Sequence, residues 1–306
     1  MSKKILFFGN ERLATGVQTS APTLRTLLAA GYEIAAIIVA QSPPSRSRHG
    51  RQLEIALVAE EHNIPLLSPA NLSQARQQLA SFGAEAAVLI AYGKLVPQTV
   101  LDLFPKGIIN VHPSLLPLRR GPTPIENAIL NGAIATGVSL MKLAIKMDTG
   151  PVYTQRIVPL GVNETKQELV DNLAGLGAAM VLENLPDILA NSLKPKPQDG
   201  QAATYTQFVT KNDGLLDWTK PALSLEREVR AYAGWPRSRA KLGATDVIIT
   251  KAHVTNGQGQ PGSLWLEAKQ LGIYTSEGIL AVERLIPAGK QDMTAAAFMA
   301  GYKLSG

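Results

Sequence analysis

Asn110 and His112 stand two residues apart at the end of the apolar run 107–111. In a strand, alternation puts both side chains on one side. An amide and an imidazole are then presented together at the carboxyl edge, where open α/β sheets bind their ligands. The plainer alternative is a strand end whose Asn and His satisfy nearby backbone groups. The next residues, Pro113-Ser114-Leu115-Leu116-Pro117-Leu118-Arg119-Arg120-Gly121-Pro122, weigh against it. Two prolines bracket Ser114, Leu115 and Leu116 and stiffen an extended loop whose backbone amides and carbonyls are offered to a flat heterocycle. Further on comes Lys146-Met147-Asp148-Thr149-Gly150-Pro151. Held at a loop tip, the Asp148 carboxylate points into the same cleft; the other reading is a turn-opening Asp.

These residues need a scaffold, and the first half of the chain supplies one. Apolar runs at 5–8, 34–39, 86–90 and 107–111 alternate with amphipathic stretches near 23–30, 54–62 and 73–81. Short buried runs separated by helices predict a parallel sheet covered on both faces, and right-handed crossovers make it doubly wound and Rossmann-like. A helix over 124–130 is marked by Thr123 as N-cap, Pro124, Glu126 and the stop Asn131-Gly132. Residues 137–145 read as strand. Thr165 and Glu168 open a helix carrying Leu169, Leu173, Leu176 and Met180 at core spacing, which Pro186 is expected to kink or end.

Residues 191–204 are polar and Pro-rich and read as a semi-extended linker between a domain at 1–190 and another at 205–306. The second offers a helix near 225–232 and short strands near 247–250, 263–267, 272–274 and 279–285. That pattern predicts a small antiparallel barrel of the oligonucleotide-binding (OB-like) type.

Composition excludes much. The 306 residues are 45% hydrophobic and 18% charged, which is ordinary for a globular protein, and no apolar run approaches the ~18–20 residues that span a bilayer. The expectation is a cytoplasmic protein with no membrane partner. Zero cysteines remove disulfides, thiolate nucleophiles and Cys-containing zinc sites. The four histidines, His49, His62, His112 and His253, are scattered, so no metal is expected. After the first strand Gly9-Asn10-Glu11-Arg12 replaces G-x-G-x-x-G, which argues against a dinucleotide; P-loop, G-x-S-x-G and H-E-x-x-H motifs are missing as well. The net charge of +6 favours a polyanionic partner.

Taken together, Asn-x-His-Pro-Ser-Leu-Leu-Pro, Arg-Gly-x-x-Pro and Met-Asp-Thr-Gly, in this order and spacing, resemble the formyltransferases that use 10-formyltetrahydrofolate. The likeness runs over about residues 30 to 290, with Ala91-Tyr92-Gly93-Lys94-Leu95-Val96-Pro97 similar to the folate-pocket segment and Asp217-Trp218 and Gly234-Trp235-Pro236 similar to landmarks of a C-terminal domain. It implies Asn110, His112 and Asp148 as catalytic triad. It also implies Ser114, Leu115, Leu116, Pro117, Tyr92 and Gly93 as folate contacts. The first turn, at residues 9–16, departs from the family's Gly-Thr-Pro, and Pro113 stands where many members carry a small residue.

Formyl transfer to an amine builds negative charge on the formyl oxygen and positive charge on the attacking nitrogen. On this reading Asn110 and protonated His112 donate to the oxygen. Asp148 keeps the ring charged and helps move the amine proton to the departing folate nitrogen, leaving tetrahydrofolate. Within the family the whole chain is most similar to the members that act on initiator methionyl-tRNA, and the second domain fits that acceptor. From 227 to 251 there are six cations, including Arg237, Arg239 and Lys241, against two acids. The loop 41–53 carries Arg46, Arg48 and Arg51 and no acid. Such a loop reaches phosphates or splayed bases of an acceptor stem, or is simply solvated. A monomer is expected. The competing readings are an amino-sugar nucleotide formyltransferase, a catalytically lapsed RNA-binding relative, and a hydrolase releasing formate.

Overall fold

The computed structural model describes residues 3–40, 53–267, 270–302 and 304. Arg46, Arg48 and Arg51 lie outside the described residues. The chain forms two compact units, one of Met1–Pro124, Ala135–Leu160 and Gln167–Gln207, the other of Ile125–Ile134, Gly161–Lys166 and Phe208–Gly306.

In chain order the elements are β1 (Lys4–Gly9), α1 (Pro22–Ala29), β2 (Glu33–Ile38), α2 (Glu54–Glu61), β3 (Leu66–Leu67), α3 (Arg76–Ser81), β4 (Ala86–Ile90), α4 (Gln98–Leu101), β5 (Gly107–His112), α5 (Pro124–Leu130), β6 (Ala135–Lys142), β7 (Val152–Pro159) and α6 (Lys166–Leu189). In the first unit one sheet runs β3-β2-β1-β4-β5-β6-β7. β1 to β5 pair in parallel, and β1, β4 and β5 are almost wholly buried, as continuous apolar runs require, whereas β3 at the sheet edge is not. Strand order reverses at β1, which has β2 on one side and β4 on the other, so the doubly wound reading holds there.

The parallel sheet expected from the runs up to 107–111 is present through β5, and the sheet continues with two strands whose direction the sequence left open. β6 pairs antiparallel with β5, and β7 antiparallel with β6. β7, Val-Tyr-Thr-Gln-Arg-Ile-Val-Pro, is a half-exposed edge strand with no apolar run to announce it. α6 also runs through Pro186 to Leu189. The carbonyl opposed by the proline ring belongs to exposed Leu182, whereas Leu185 and Ile188 are buried, so the apolar packing offsets the roughly 3 kcal/mol that an interior proline costs.

Two packing facts aim the end of β5. A Cβ on Gly177 of α6 would sit 2.8 Å from Cγ1 of Val111, so this helix lies close over Val111. On the opposite face Ile108 joins a core cluster with Leu79 of α3, Val100 of α4, and Phe8 and Tyr92. Alternation then sends Asn110 and His112 to the face of Ile108, beyond the end of its cluster.

The turn after β1 explains why no dinucleotide motif is needed. Glu11 is 1% exposed, and its carboxylate accepts the N–H groups of Thr23 and Leu24, at 2.9 and 2.8 Å. The chain's own Glu11 carboxyl group thus occupies the helix N-terminus where a nucleotide-binding fold seats a phosphate.

The second unit contains α7 (Ala222–Ala231), β8 (Ser238–Leu242), β9 (Thr245–Thr255), β10 (Leu264–Glu267), β11 (Gln270–Tyr274), β12 (Ile279–Pro287), β13 (Met293–Thr294) and α8 (Ala295–Gly301). Its sheet runs β10-β11-β12-β9-β8, antiparallel throughout, with β13 on β12. Leu225 and Val229 of α7 and Phe298 of α8 close its core. β8 is an edge strand the sequence reading lacked, its Ser-Arg-Ala-Lys-Leu being too polar to stand out. Among the described residues no helix is long and apolar enough to cross a membrane.

Candidate active site

Asn110 and His112 are 6% and 5% exposed. Among the described residues the Asn110 amide has no hydrogen-bond partner, so its N–H₂ is available to a ligand. His112 is engaged at one ring nitrogen: Nε2 lies 3.1 Å from the Arg119 carbonyl, to which it donates when it carries the proton. Nδ1 faces Asp148 Oδ2 at 3.8 Å, an ion-pair distance beyond hydrogen-bond reach. Both ring nitrogens thus face oxygen atoms, Nε2 within hydrogen-bond distance and Nδ1 just beyond it.

Asp148 follows β6 in a short loop and has a left-handed backbone, φ +50°, which Asp tolerates locally. Its Oδ2 accepts the Gly121 N–H at 2.8 Å. Gly150 allows this loop to close: a Cβ there would collide with the Lys142 carbonyl. The structure therefore brings together Asn110 and His112 from one strand and Asp148 from a loop after the neighbouring strand.

The loop between them is more occupied than its sequence suggests. Ser114 N–H donates to the His112 carbonyl, and the Ser114 hydroxyl to the Leu118 carbonyl. Ser139 of β6 donates to the Ser114 carbonyl and accepts the Leu116 N–H. Gln155 of β7 donates to the Leu116 carbonyl, and Thr204 N–H to that of Pro117. Most main-chain groups expected to meet a ligand are thus bonded within the protein, and the loop, with a cis Leu116-Pro117 bond, is a fixed floor. The carbonyls of Ser114, Leu115, Leu116 and Pro117 each already accept one hydrogen bond, so a second lone pair is what they offer a ligand.

Tyr92 is 4% exposed and packs edge-on against Phe8 at 5.7 Å. Burial raises its hydroxyl above the ordinary tyrosine value. Its ring is committed to the core, anchoring the turn Ala91–Gly93. At Gly93, φ +77°, a Cβ would meet nothing within 4 Å, so the backbone there borders open space. Ser139, Gln155, Arg119 and Gln198 support the site and were not singled out from sequence. Ser139 did leave a signal, as a polar residue inside the apolar run of β6.

Residues 12–185 match the family described as Formyl transferase, and 209–303 match its C-terminal domain. The chain belongs to the formyl transferase family. The methionyl-tRNA formyltransferase of Roseiflexus castenholzii is 35% identical over 100% of this chain and 98% of its own. Two solved structures share the fold. HypX of Aquifex aeolicus, in complex with tetrahydrofolic acid, has TM-score 0.66 and 18% identity, with 96% of this chain and 46% of HypX covered, so this chain spans about half its length. An N-formyltransferase of Helicobacter canadensis, in complex with folinic acid and dTDP-3-aminofucose, has TM-score 0.65 and 19% identity, with 92% and 99% covered.

In this formyl transferase the basic residues of the second unit are held unequally. Arg237 is exposed with φ +71°, and Lys241 is exposed on β8. Arg239 shares the Lys241 face of β8 but is half-buried, its guanidinium donating to the Lys211 carbonyl.

Proposed function

We propose that the protein transfers the formyl group of 10-formyltetrahydrofolate to the amino group of initiator methionyl-tRNA. The observation that carries this reading is the meeting of Asn110, His112 and Asp148 at the carboxyl edge of the sheet, with the Asn110 amide unengaged among the described residues. The folate supplies the formyl group. The open border at Gly93 and the fixed floor of Leu115, Leu116 and Pro117 suit a flat heterocycle, and these residues with Ser114 and the Tyr92 turn hold it. Asn110 and the Nδ1–H of His112 donate to the formyl oxygen as negative charge develops there; a preorganised donor of this kind is worth about 3–4 kcal/mol in the transition state. Asp148 holds the charged ring and takes part in passing the amine proton onward.

The acceptor reading is supported by a relative that matches this chain end to end and is named for methionyl-tRNA. In that division of labour residues 1–190 carry the chemistry, 191–204 link, and 205–306 contribute the basic face with Arg237, Arg239 and Lys241. Arg46, Arg48 and Arg51 supply further phosphate contacts. The sugar acceptor has one specific observation in its favour, the fold shared with the Helicobacter canadensis enzyme.

The test is transfer of labelled formyl from 10-formyltetrahydrofolate to methionyl-tRNA, uncharged tRNA and an amino-sugar nucleotide in parallel. Product on methionyl-tRNA alone is expected. Product on the sugar reassigns the acceptor, and no product on any of them removes the transferase reading.

A further inference from the structure

His112 and Asp148 sit on separate supports, and something must set the 3.8 Å between them. Gln198 spans those supports. Its Nε2 donates to the carbonyls of Asp148 and Gly150, at 2.8 and 2.6 Å. Its Oε1 accepts from Nε and Nη2 of Arg120, at 3.1 and 2.8 Å. Arg120 is 4% exposed; its Nη1 donates to the Tyr205 hydroxyl at 3.1 Å, and its main chain is bonded to Thr204 and Thr206. The residue after it, Gly121, donates to the Asp148 carboxylate, and the one before it, Arg119, presents its carbonyl to His112. A closed circuit results. Asp148 is held at its carboxylate by Gly121 and at its backbone by Gln198, and both holds end in Arg120.

We propose that Gln198 and Arg120 are positioning residues that fix Asp148 relative to His112. The kinetic consequence rests on the formyl-transfer reading; the structural one rests on the geometry alone. Among the described residues neither side chain bonds to the Asn110 amide, the His112 ring or the Asp148 carboxylate. An amide is what the place requires, because one planar group must accept from a guanidinium and donate to two carbonyls. Glutamate has the same shape and strengthens the bond to Arg120. It also turns lone pairs onto the Asp148 and Gly150 carbonyls, so that side of the circuit opens.

The experiment is Gln198→Glu in the full-length protein. The expected crystal structure has Asp148 displaced from His112 by about 1 Å, a shift of the size that costs on the order of 100-fold in rate. The melting temperature stays at or above that of the parent. Turnover falls by about 10- to 100-fold while KM for 10-formyltetrahydrofolate stays within about twofold. Added to Asp148→Asn, the substitution has no further effect, because the group it positions is already gone. If Gln198→Glu does not fold, Gln198→Met, similar in shape and without either bond, is measured the same way. An unmoved Asp148, parental turnover, or a loss that multiplies with that of Asp148→Asn overturns the proposal. A parent protein that transfers no formyl group counts against the formyl-transfer reading, and the Asp148 displacement then decides the positioning role by itself.

Discussion

Glu11 and Asp148 are both acidic residues with left-handed backbones, φ +54° and +50°, in loops that follow strands of one sheet, and they have opposite fates. Glu11 is sealed in, with each carboxylate oxygen taken by a backbone N–H at the start of α1. Asp148 keeps a 13% exposed side chain, one main-chain hydrogen bond, and a histidine just beyond hydrogen-bond distance. A carboxylate whose acceptor capacity is spent on the fold is structural. One held firmly with capacity to spare is placed for chemistry. Exposure alone would not separate them, since Asn110 and His112 are nearly as buried as Glu11.

Two substitutions press on that contrast. The larger effect is expected from Asn110→Ala, which removes a donor that has no partner among the described residues. Turnover should fall by about 10²- to 10³-fold with the melting temperature little changed, as stopped assays and calorimetry on the same preparation would register. A large drop in stability would instead make Asn110 part of the frame.

Glu11→Gln should do the reverse, leaving turnover within about twofold and costing on the order of 1–3 kcal/mol in urea unfolding, because the amide can accept only one of the two N–H groups. Its pH dependence sharpens the point. Burial pushes the Glu11 carboxyl above its ordinary value, against the lowering effect of its bonds to Leu24 and Thr23. The folded state then holds the proton more tightly than the unfolded chain, so the parent gains stability as pH falls through the folded pKa toward the ordinary carboxylate range. The stability difference between parent and Glu11→Gln should therefore widen in favour of the parent on acidification. A difference that narrows would mean that the hydrogen bonds outweigh the burial.

How much of this was legible in the sequence depends on how local each cause is. Asn110 and His112 could be read because strand alternation needs only neighbouring residues. Asp148 could be read as a turn acid, but not that Gly121 and Gln198 hold it, since those partners lie 27 and 50 residues away. Gln198 sat in a Pro-rich polar stretch that looked like a tether, and only folding shows it bonded to the site loops. β7 and β8 went unread because edge strands carry polar side chains without an apolar run. Glu11 showed in the sequence only as a departure from a familiar turn; its capping role needs the N-terminus of α1 brought beside it.

The most direct test of the account is a single-turnover measurement on Asp148→Asn, following formyl transfer to methionyl-tRNA and 10-formyltetrahydrofolate binding on the same protein. Asparagine keeps the left-handed backbone and the bond from Gly121 while removing the charge. The account predicts a transfer rate lower by at least about tenfold with donor affinity nearly unchanged. Equal rates for the variant and the parent would remove Asp148 from the chemistry.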